Sequence, residues 1–392
     1  MNWDDNIIDA AATDTGMRRT NNQDSYAAVR ASHEEAWRQR GHVFIVADGM
    51  GAHAVGELAS KMACDLIPHN YMKARTGTPS ESIAKSFREV SSLIHSRASA
   101  NRDFQGMGTT CSALLLLPAG ALVAHVGDSR VYRMRHDRID QLSFDHSLVW
   151  ELVRRNHLTS EQANLSVPKN VITRSLGPEL EIEVDVEGPL AVELDDVYLL
   201  CSDGLSGPVD DREIGAFGAN FHPRDACRYL VDLANLRGGL DNITVLIVRI
   251  GEWVDPDSAE TIHRQPAAKN DRGGRGSDGW RARFTDLLKG RRRNAELALV
   301  DDHPYRTYEC SIDEALIERL DELTRRTQDQ AVAQAWSVDW AALAGLRRQA
   351  ADARAAKNLW VSLRKIAEII SLLGQAARFF RKSAGPASSV HR

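Results

Sequence analysis

The sequence of 392 residues predicts an α+β fold, in which a β-sandwich of two antiparallel sheets is flanked by helices in the order α-β-β-α. Short β-branched or apolar runs follow one another without a helix between them, and this order favours antiparallel pairing. The helical patterns are grouped instead of alternating with the strands, as is typical of helices packed outside two sheets. After residue 294 only helical patterns occur, so an all-α C-terminal region is expected to follow the sandwich.

The predicted strands are short runs of β-branched and apolar residues between turn residues. They cover Ile7–Thr13, Val43–Ala47, Thr109–Leu117, Ala121–Val126, Val131–Arg135, Glu183–Val186, Val197–Cys201 and Ile243–Ile250. The predicted helices repeat apolar residues at helical spacing. They cover Gly56–Lys73, Ser80–Ser99 and Pro223–Leu236, and we therefore interpret residues 1–253 as one mixed domain.

Residues 254–294 are predicted to form a basic, glycine-rich linker. Between residues 261 and 293, ten lysines and arginines stand against three aspartates, a local charge of +7. Both a solvated tether and a docking patch for an acidic partner or nucleic acid are compatible with this charge. The whole chain carries a net charge of −5, so no nucleic-acid partner is expected for the protein overall.

Residues 295–384 are predicted to form a helical hairpin or small bundle, and residues 385–392 a disordered tail. Ser311 and Glu314 have the spacing of a capping box at the start of a helix, and Ala341–Lys357 and Leu359–Lys382 are two further predicted helices. The last helix has one apolar stripe flanked by cations, which is compatible with packing on a neighbouring helix or with binding to a membrane surface. The stripe comprises Trp360, Leu363, Ala367, Ile370, Leu373, Ala377 and Phe380, and the cations are Arg364, Lys365, Arg378, Arg381 and Lys382.

The cysteines and the apolar runs indicate a cytoplasmic protein. Five cysteines are widely spaced and lack a CxxC pair, which is typical of reduced thiols in a cytosolic core. The N-terminus has neither the basic start nor the apolar run of a secretory signal. The longest apolar runs, such as Ala113–Leu117, are too short to cross a bilayer, so no transmembrane span is expected.

Aspartates at the ends of predicted strands are the residues that indicate chemistry. They stand in Asp48-Gly49, Asp203-Gly204 and Asp241-Asn242, far apart in sequence. If the fold gathers them, their carboxylates repel one another unless a cation neutralises them. Oxygen ligands without a zinc-type Cys or His set suit Mg²⁺ or Mn²⁺.

An arginine beside such a cluster would complete what phosphate-ester hydrolysis requires, because a cation must hold the phosphoryl oxygens. Arg18 and Arg19, just ahead of Asp24, are the candidates. From composition alone, unrelated turns and surface charges remain an equal alternative to this interpretation.

Seven short segments, in the order in which they occur, carry a resemblance to a known family. They are Thr13–Ser25, Asp48–His53, Gly108–Thr110, Gly127–Arg130, Asp145–Ser147, Ser202–Leu205 and Asp241–Thr244. Together they resemble the type 2C metal-dependent protein serine/threonine phosphatases in their bacterial form. The resemblance covers residues 1–253, which it makes the catalytic domain, and none of the tail. It implies two packed antiparallel sheets flanked by helices, in agreement with the strand order.

The resemblance also implies a role for individual residues. Asp48 is similar to the carboxylate that bridges two metals, and the Gly49 carbonyl to a further ligand. Asp203 and Asp241 resemble terminal ligands of the first metal, and Arg19, five residues before Asp24, resembles the arginine that binds phosphate. The remaining two assignments are Asp128, at a third and weaker metal site, and Asp24, near the second metal either directly or through water.

The implied activity is hydrolysis of phosphoserine and phosphothreonine in proteins by a metal-activated water, without a phosphoenzyme or a cysteine nucleophile. Two Mn²⁺ or Mg²⁺ ions are expected, with the third site weaker. The implied partners are phosphoproteins and a Ser/Thr kinase whose action is opposed, and the tail is expected to regulate or to dock a partner protein or membrane surface. The alternative is a catalytically weak or silent phosphatase-like sensor or scaffold that acts through its helical tail.

Four positions depart from the family pattern or admit a structural role. Gln23 stands where many members carry a glutamate, and Met50 where animal members carry a histidine proposed as general acid. His53, in the same loop, is a candidate proton donor to the leaving oxygen, and a loop-stabilising role is equally compatible. His146 is expected to be buried and bonded to the backbone.

Overall fold

The computed structural model of the chain describes residues 7–51, 55–154, 171–255 and 305–384. Within these residues the strands, in chain order, are β1 (Ile7–Asp14), β2 (Asp24–Val29), β3 (His42–Met50), β4 (Gly108–Thr109), β5 (Cys111–Leu117), β6 (Gly120–Val126), β7 (Arg130–Arg135), β8 (Arg138–Gln141), β9 (Asp185–Leu190), β10 (Val197–Cys201), β11 (Ile243–Ile250) and β12 (Arg306–Glu309). They form two sheets. The first has the order β1-β11-β10-β7-β8-β12, and the second has the order β2-β3-β5-β6-β9, with β4 beside β3.

The helices are α1 (Glu34–Arg40), α2 (Val55–Lys73), α3 (Pro79–Ala100), α4 (Leu148–Arg154), α5 (Asp203–Ser206), α6 (Asp211–Asn220), α7 (Pro223–Leu236), α8 (Glu314–Ala333), α9 (Trp340–Ala355) and α10 (Leu359–Ala384). Adjacent strands within each sheet are antiparallel. The predicted α+β sandwich with a helical C-terminal region is confirmed.

Strand β3 shows how the sequence specifies the layers. Side chains alternate between the two faces of a strand. Accordingly, Val43, Ile45 and Ala47 pack in the apolar cluster beneath α2 and α3. Phe44 and Val46 face the other way, into the cluster between the two sheets. Because both faces are buried, the strand is a continuous apolar run, and β3 lies in the middle of the α-β-β-α arrangement.

The C-terminal helices pack on the outside of the first sheet's helical layer. Leu363, Ile366 and Ile370 of α10 are buried in the same cluster as Leu230 of α7. The apolar stripe expected on the last helix is therefore covered largely by α7 and by the other tail helices. The described residues up to Trp253 and from Tyr305 onward form one compact unit.

Strand β12 also joins the tail to the first sheet, because it pairs with β8 and places Tyr308 opposite Ile139. The sequence did not predict this strand, since four polar and aromatic residues carry no strand pattern of their own. Of the proposed linker, only Val254 and Asp255 lie within the described residues, and residues 385–392 lie outside them. The division into the domains proposed from the sequence stays a prediction.

Other local predictions are corrected by the structure. Helix α8 is capped by Asp313, whose carboxylate accepts a hydrogen bond from the Leu316 amide at 2.7 Å, and not by Ser311. Asp and Ser are similarly good N-caps, so spacing alone could not choose between them.

The cysteines agree with the prediction, because all five are buried and unpaired. Among the described helices, none is long and apolar enough to cross a membrane.

Candidate active site

The loop after β1, residues 15–23, is held against the turn before β11. We call it the Arg19 loop. Pairing of β1 with β11 brings the end of one strand beside the start of the other. Asn242, which is buried, then holds both ends of the loop. Its side-chain amide nitrogen donates to the carbonyls of Thr15 and Asn21 at 3.0 and 2.9 Å, and its amide oxygen accepts from the Gln23 amide at 2.8 Å.

A glycine permits the close approach of this loop to the turn. Gly16 has a φ of +77°, and a Cβ at this position would lie 2.1 Å from the Asp241 carbonyl oxygen. The next two amides, of Met17 and Arg18, donate to the Gly239 carbonyl at 2.7 and 3.1 Å. The chain that carries Arg19 is therefore fixed to the turn that carries Asp241.

Of the two candidate arginines, Arg19 reaches the acidic residues. Its Nη2 donates to Asp241 Oδ2 at 2.7 Å, and 52% of its side chain is exposed. This hydrogen bond raises the pKa of Arg19, and the negative charges of Asp48 and Asp203 contribute in the same direction. A permanently charged, half-exposed guanidinium therefore stands at the edge of the acidic cluster.

Asp24 and Asp48 lie opposite each other, at the start of β2 and near the end of β3. Asp24 is only 7% exposed, and Ser202 donates to its Oδ2 at 2.6 Å. Burial raises the pKa of Asp24 to about 7. Burial also raises the pKa of Asp48 well above its usual range, and repulsion from Asp24 and Asp203 adds to this shift.

Gly49 lies where strand β3 meets the start of α2. A Cβ on Gly49 would stand 2.0 Å from the Gly56 carbonyl oxygen, so a glycine is required for this contact. The Gly49 amide donates to the Gln23 carbonyl at 3.1 Å, and the Gln23 side-chain amide donates to the Gly51 carbonyl at 3.4 Å. The Asp48-Gly49 segment is thereby held by backbone contacts on two sides.

Two further carboxylates come from other loops. Asp203 starts α5, directly after β10, and burial followed by repulsion from Asp241 raises its pKa. Asp128 lies in the turn between β6 and β7, and burial raises its pKa to about 7, with repulsion from Asp203 and Asp145 adding to the shift. The negative charges of Asp24, Asp128 and Asp203 all raise the pKa of Asp48, so the fold gathers these four carboxylates into one region.

The acidic residues fit a divalent cation in their chemistry. One carboxylate oxygen each of Asp24, Asp128 and Asp203 is buried without a hydrogen-bond partner among the described residues. Such oxygens are costly to bury unless a cation or a donor satisfies them. In the described part of the chain, no three His, Cys, Asp or Glu side chains are disposed to hold a metal ion as they stand, and Asp241 is engaged by Arg19.

The turn that carries Asp128 is fixed by His146. This residue is buried, and its Nδ1 accepts a hydrogen bond from the Gly127 amide at 3.0 Å. Its Nε2 lies 3.0 Å from Asp185 Oδ2. The expected buried, backbone-bonded histidine is thus present, and it supports the acidic turn.

The structure brings together the predicted residues Arg19, Asp24, Asp48, Asp128 and Asp203, and it places Asp241 on Arg19. His53 lies outside the described residues. The sequence did not single out Asn242 and Ser202 as supports of the loop and of Asp24. Both stand within motifs that the family resemblance quotes, and this was the signal that could have identified them.

Comparison of the sequence with known proteins shows which family it matches. The family model "Protein phosphatase 2C" matches residues 17–229. Protein phosphatase PhpP of Streptococcus pneumoniae is 36% identical over 245 residues, which are 61% of this chain and 96% of PhpP. The match therefore spans this relative almost in full and leaves more than a third of this chain uncovered.

Solved structures that are similar to this chain are also serine/threonine phosphatases. The Mycobacterium tuberculosis serine/threonine phosphatase PstP/Ppp has a TM-score of 0.55 and 31% identity, covering 63% of this chain and 100% of that one. The catalytic domain of the serine/threonine phosphatase PstP in complex with two manganese ions has a TM-score of 0.54 and 31% identity, covering 63% of this chain and 99% of that one. The chain therefore belongs to the protein phosphatase 2C family, as a bacterial-type protein serine/threonine phosphatase.

Proposed function

We propose that this phosphatase hydrolyses phosphoserine and phosphothreonine in proteins with a metal-activated water, and so opposes a Ser/Thr kinase. The observation that carries the proposal is the gathering of buried carboxylates beside the exposed Arg19 guanidinium. Phosphatases of this family depend on metal ions. The combination of a cation site and a phosphate-binding arginine is what hydrolysis of a phosphate ester requires.

Asp48, the Gly49 carbonyl, Asp203 and Asp241 are proposed to hold two Mn²⁺ or Mg²⁺ ions. We assign Asp128 to a third, weaker site and Asp24 to the surroundings of the second ion. When bound, such ions supply a water acidic enough to act as a nucleophile at neutral pH. The two manganese ions in the PstP structure support the proposed number of metal ions. The buried carboxylate oxygens without a hydrogen-bond partner among the described residues support the proposed position of these ions.

Arg19 is proposed to bind the phosphate of the substrate. Its guanidinium keeps its charge at any pH at which the protein is folded, and its planar donors match phosphoryl oxygens. The half-exposed side chain lies within the field of the acidic residues, so a phosphate bound to it would lie close to the cations.

A cysteine nucleophile is disfavoured by the surroundings of the thiol that is nearest to Asp203 in sequence. Cys201 lies two residues before Asp203 and is completely buried. Burial raises its pKa to about 12, so it stays protonated near neutral pH. This supports direct attack by water. His53 stays the proposed proton donor to the leaving oxygen.

A phosphothreonine peptide tests this function. With Mn²⁺ present, the full chain should release inorganic phosphate, and Asp203→Asn should lower the rate by about a hundredfold or more because a proposed ligand loses its charge. Asp225→Asn, which removes an exposed carboxylate from α7, is the matched control and should retain full activity. If neither phosphopeptides nor aryl phosphates are hydrolysed, the proposal is wrong.

We further propose that the tail regulates the enzyme or docks a partner protein or membrane surface, and that the protein acts in the cytoplasm. The alternative function, a weak or silent scaffold that acts through the tail, predicts a folded protein without Mn²⁺ binding. Calorimetric titration with Mn²⁺ separates the two, because only an enzyme of the proposed kind should bind the ion.

A further inference from the structure

The last turn of α10 reaches the Arg19 loop. The guanidinium of Arg381 donates from Nη1 to the Gly16 carbonyl and from Nη2 to the Arg19 carbonyl. One side chain of the tail therefore bridges two carbonyls of the loop that presents the phosphate-binding arginine. These atoms are separated by more than 360 residues of chain.

We propose that Arg381 is a positioning residue, through which the C-terminal helix holds Arg19 in place for phosphate binding. This inference rests on the proposed role of Arg19. It assigns the tail a contribution to catalysis, in addition to any docking. Arg381 does not touch the substrate, and it acts through the backbone of the Arg19 loop.

The loop is held by contacts from the catalytic domain, among them the Gly239 carbonyl that accepts from the Met17 and Arg18 amides, and by contacts from the tail. Asn242, from the catalytic domain, binds Thr15, Asn21 and Gln23 near the ends. Arg381 binds the carbonyl of Arg19 itself, in the middle. Because the placement of a reacting or binding group within about 1 Å can change a rate about a hundredfold, a contact to the Arg19 carbonyl itself can affect phosphate binding.

An apolar contact accompanies the polar one. Met17, in the same loop, packs on the cluster formed by Trp336, Ala376 and Ala377, with Phe380 at its edge. Apart from Met17, these residues belong to the tail. The tail thus contacts two consecutive positions of the loop, through the Gly16 carbonyl and the Met17 side chain.

Arg381 is presented by a helix that is itself anchored. One turn earlier, Arg378 forms an ion pair with Asp232 of α7, whose side chain is 1% exposed. Gly374 lets the two helices approach, because a Cβ there would lie 2.8 Å from Asp232 Oδ1. Because α10 is held against α7 in this way, the backbone of Arg381 is fixed relative to the loop, and its guanidinium can restrict the loop's movement.

The first test is kinetic and uses the full chain. Arg381→Ala should lower kcat/KM for a phosphothreonine peptide about tenfold, mainly through KM, because phosphate binding loses its alignment. Lys382→Ala, the neighbouring exposed cation, should leave kcat/KM unchanged. Arg381→Lys should recover part of the loss, since an ammonium keeps a charged donor but lacks the planar fork of a guanidinium that fits two carbonyls.

The second test separates positioning from general stability. In an Arg19→Ala background, Arg381→Ala should cause no further loss, because the group that it positions is absent. If Arg381→Ala lowers the residual activity by the same factor as in the wild type, the positioning role is wrong.

A third measurement does not depend on activity. Hydrogen exchange of the amides in residues 15–23 should be faster in Arg381→Ala than in the wild type, and unchanged in Lys382→Ala. Equal exchange in all three proteins would contradict the proposal. If the wild type hydrolyses no phosphopeptide, the proposed function fails, and the exchange rates still decide whether the tail holds the loop.

Discussion

Arg19 and Asp241 lie 222 residues apart in sequence, and their side chains form an ion pair with an N–O distance of 2.7 Å. The pair joins the Arg19 loop to the turn before β11. It also connects the proposed phosphate-binding group with a proposed metal ligand. Both partners are partly exposed, at 52% and 33%, so the pair itself contributes little to stability, and its importance is functional.

Replacing Arg19 should weaken phosphate binding without weakening metal binding. For Arg19→Ala we expect kcat/KM with a phosphothreonine peptide to fall about a hundredfold, because a charged donor to the phosphoryl oxygens is lost. Mn²⁺ affinity measured by calorimetry should stay the same or increase, since Asp241 loses a competing partner. Arg18→Ala is the matched control. An equal loss in both variants would contradict the assignment of Arg19.

The stability of the metal-free protein should depend on pH through the acidic cluster. The pKa values of Asp24 and Asp128 are raised from 3.8 to about 7 on folding. Between these values the folded state binds more protons than the unfolded state, so the free energy of unfolding falls as the pH rises through this window. Above it, Mn²⁺ should restore the loss by neutralising the carboxylates.

Thermal unfolding in EDTA at pH about 5 and about 7.5 measures this effect. In Asp128→Asn the decrease in Tm between the two pH values should be smaller, since an amide does not titrate. A metal-free Tm that is independent of pH would contradict the raised pKa values of the cluster. A decrease in Tm with pH that is the same in Asp128→Asn as in the wild type would contradict the contribution of Asp128.

Asn242 should be required for the shape of the Arg19 loop. Asn242→Ala removes three hydrogen bonds from a buried side chain and is expected to cost about 2–3 kcal/mol of the free energy of unfolding. kcat/KM should fall about tenfold or more because Arg19 loses its alignment. The control is Asn70→Ala, which loses one exposed hydrogen bond to Glu89 and should change neither quantity measurably.

The tail should unfold together with the catalytic domain. Leu363 of α10 is fully buried in the cluster that contains α7, so Leu363→Ala should cost about 2–5 kcal/mol. Unfolding in urea, followed by circular dichroism and by tryptophan fluorescence, should remain a single transition at a lower midpoint. Phe379→Ala, on the same helix but 63% exposed, should change stability by less than about 0.5 kcal/mol. Separate transitions for tail and domain would contradict a shared core.

The sequence was sufficient to predict the two-sheet fold and the gathering of the aspartates. Asp48, Asp203 and Asp241 each stand at a strand end, and ordered motifs around them resemble one family. Strand β2 was not among the predicted strands, and its pairing with β3, which places Asp24 opposite Asp48, is known only from the structure.

Other features depend on contacts between distant segments and have no local pattern. The hydrogen bond from Ser202 to Asp24 arises because the end of β10 in one sheet lies beside the start of β2 in the other. Strand β12 exists because β8 offers an unpaired edge. Arg381 looked like one cation among several flanking an apolar stripe, and only the packing of α10 on α7 brings it to the Arg19 loop.

The most direct measurement is anomalous X-ray diffraction from crystals of the full chain soaked in Mn²⁺. We expect a manganese peak within about 2.2 Å of an Asp48 carboxylate oxygen, with Asp203 and Asp241 as neighbours in the same site. No peak at this position at saturating Mn²⁺, with the three carboxylates left facing solvent, would contradict the metal site on which the proposed chemistry depends.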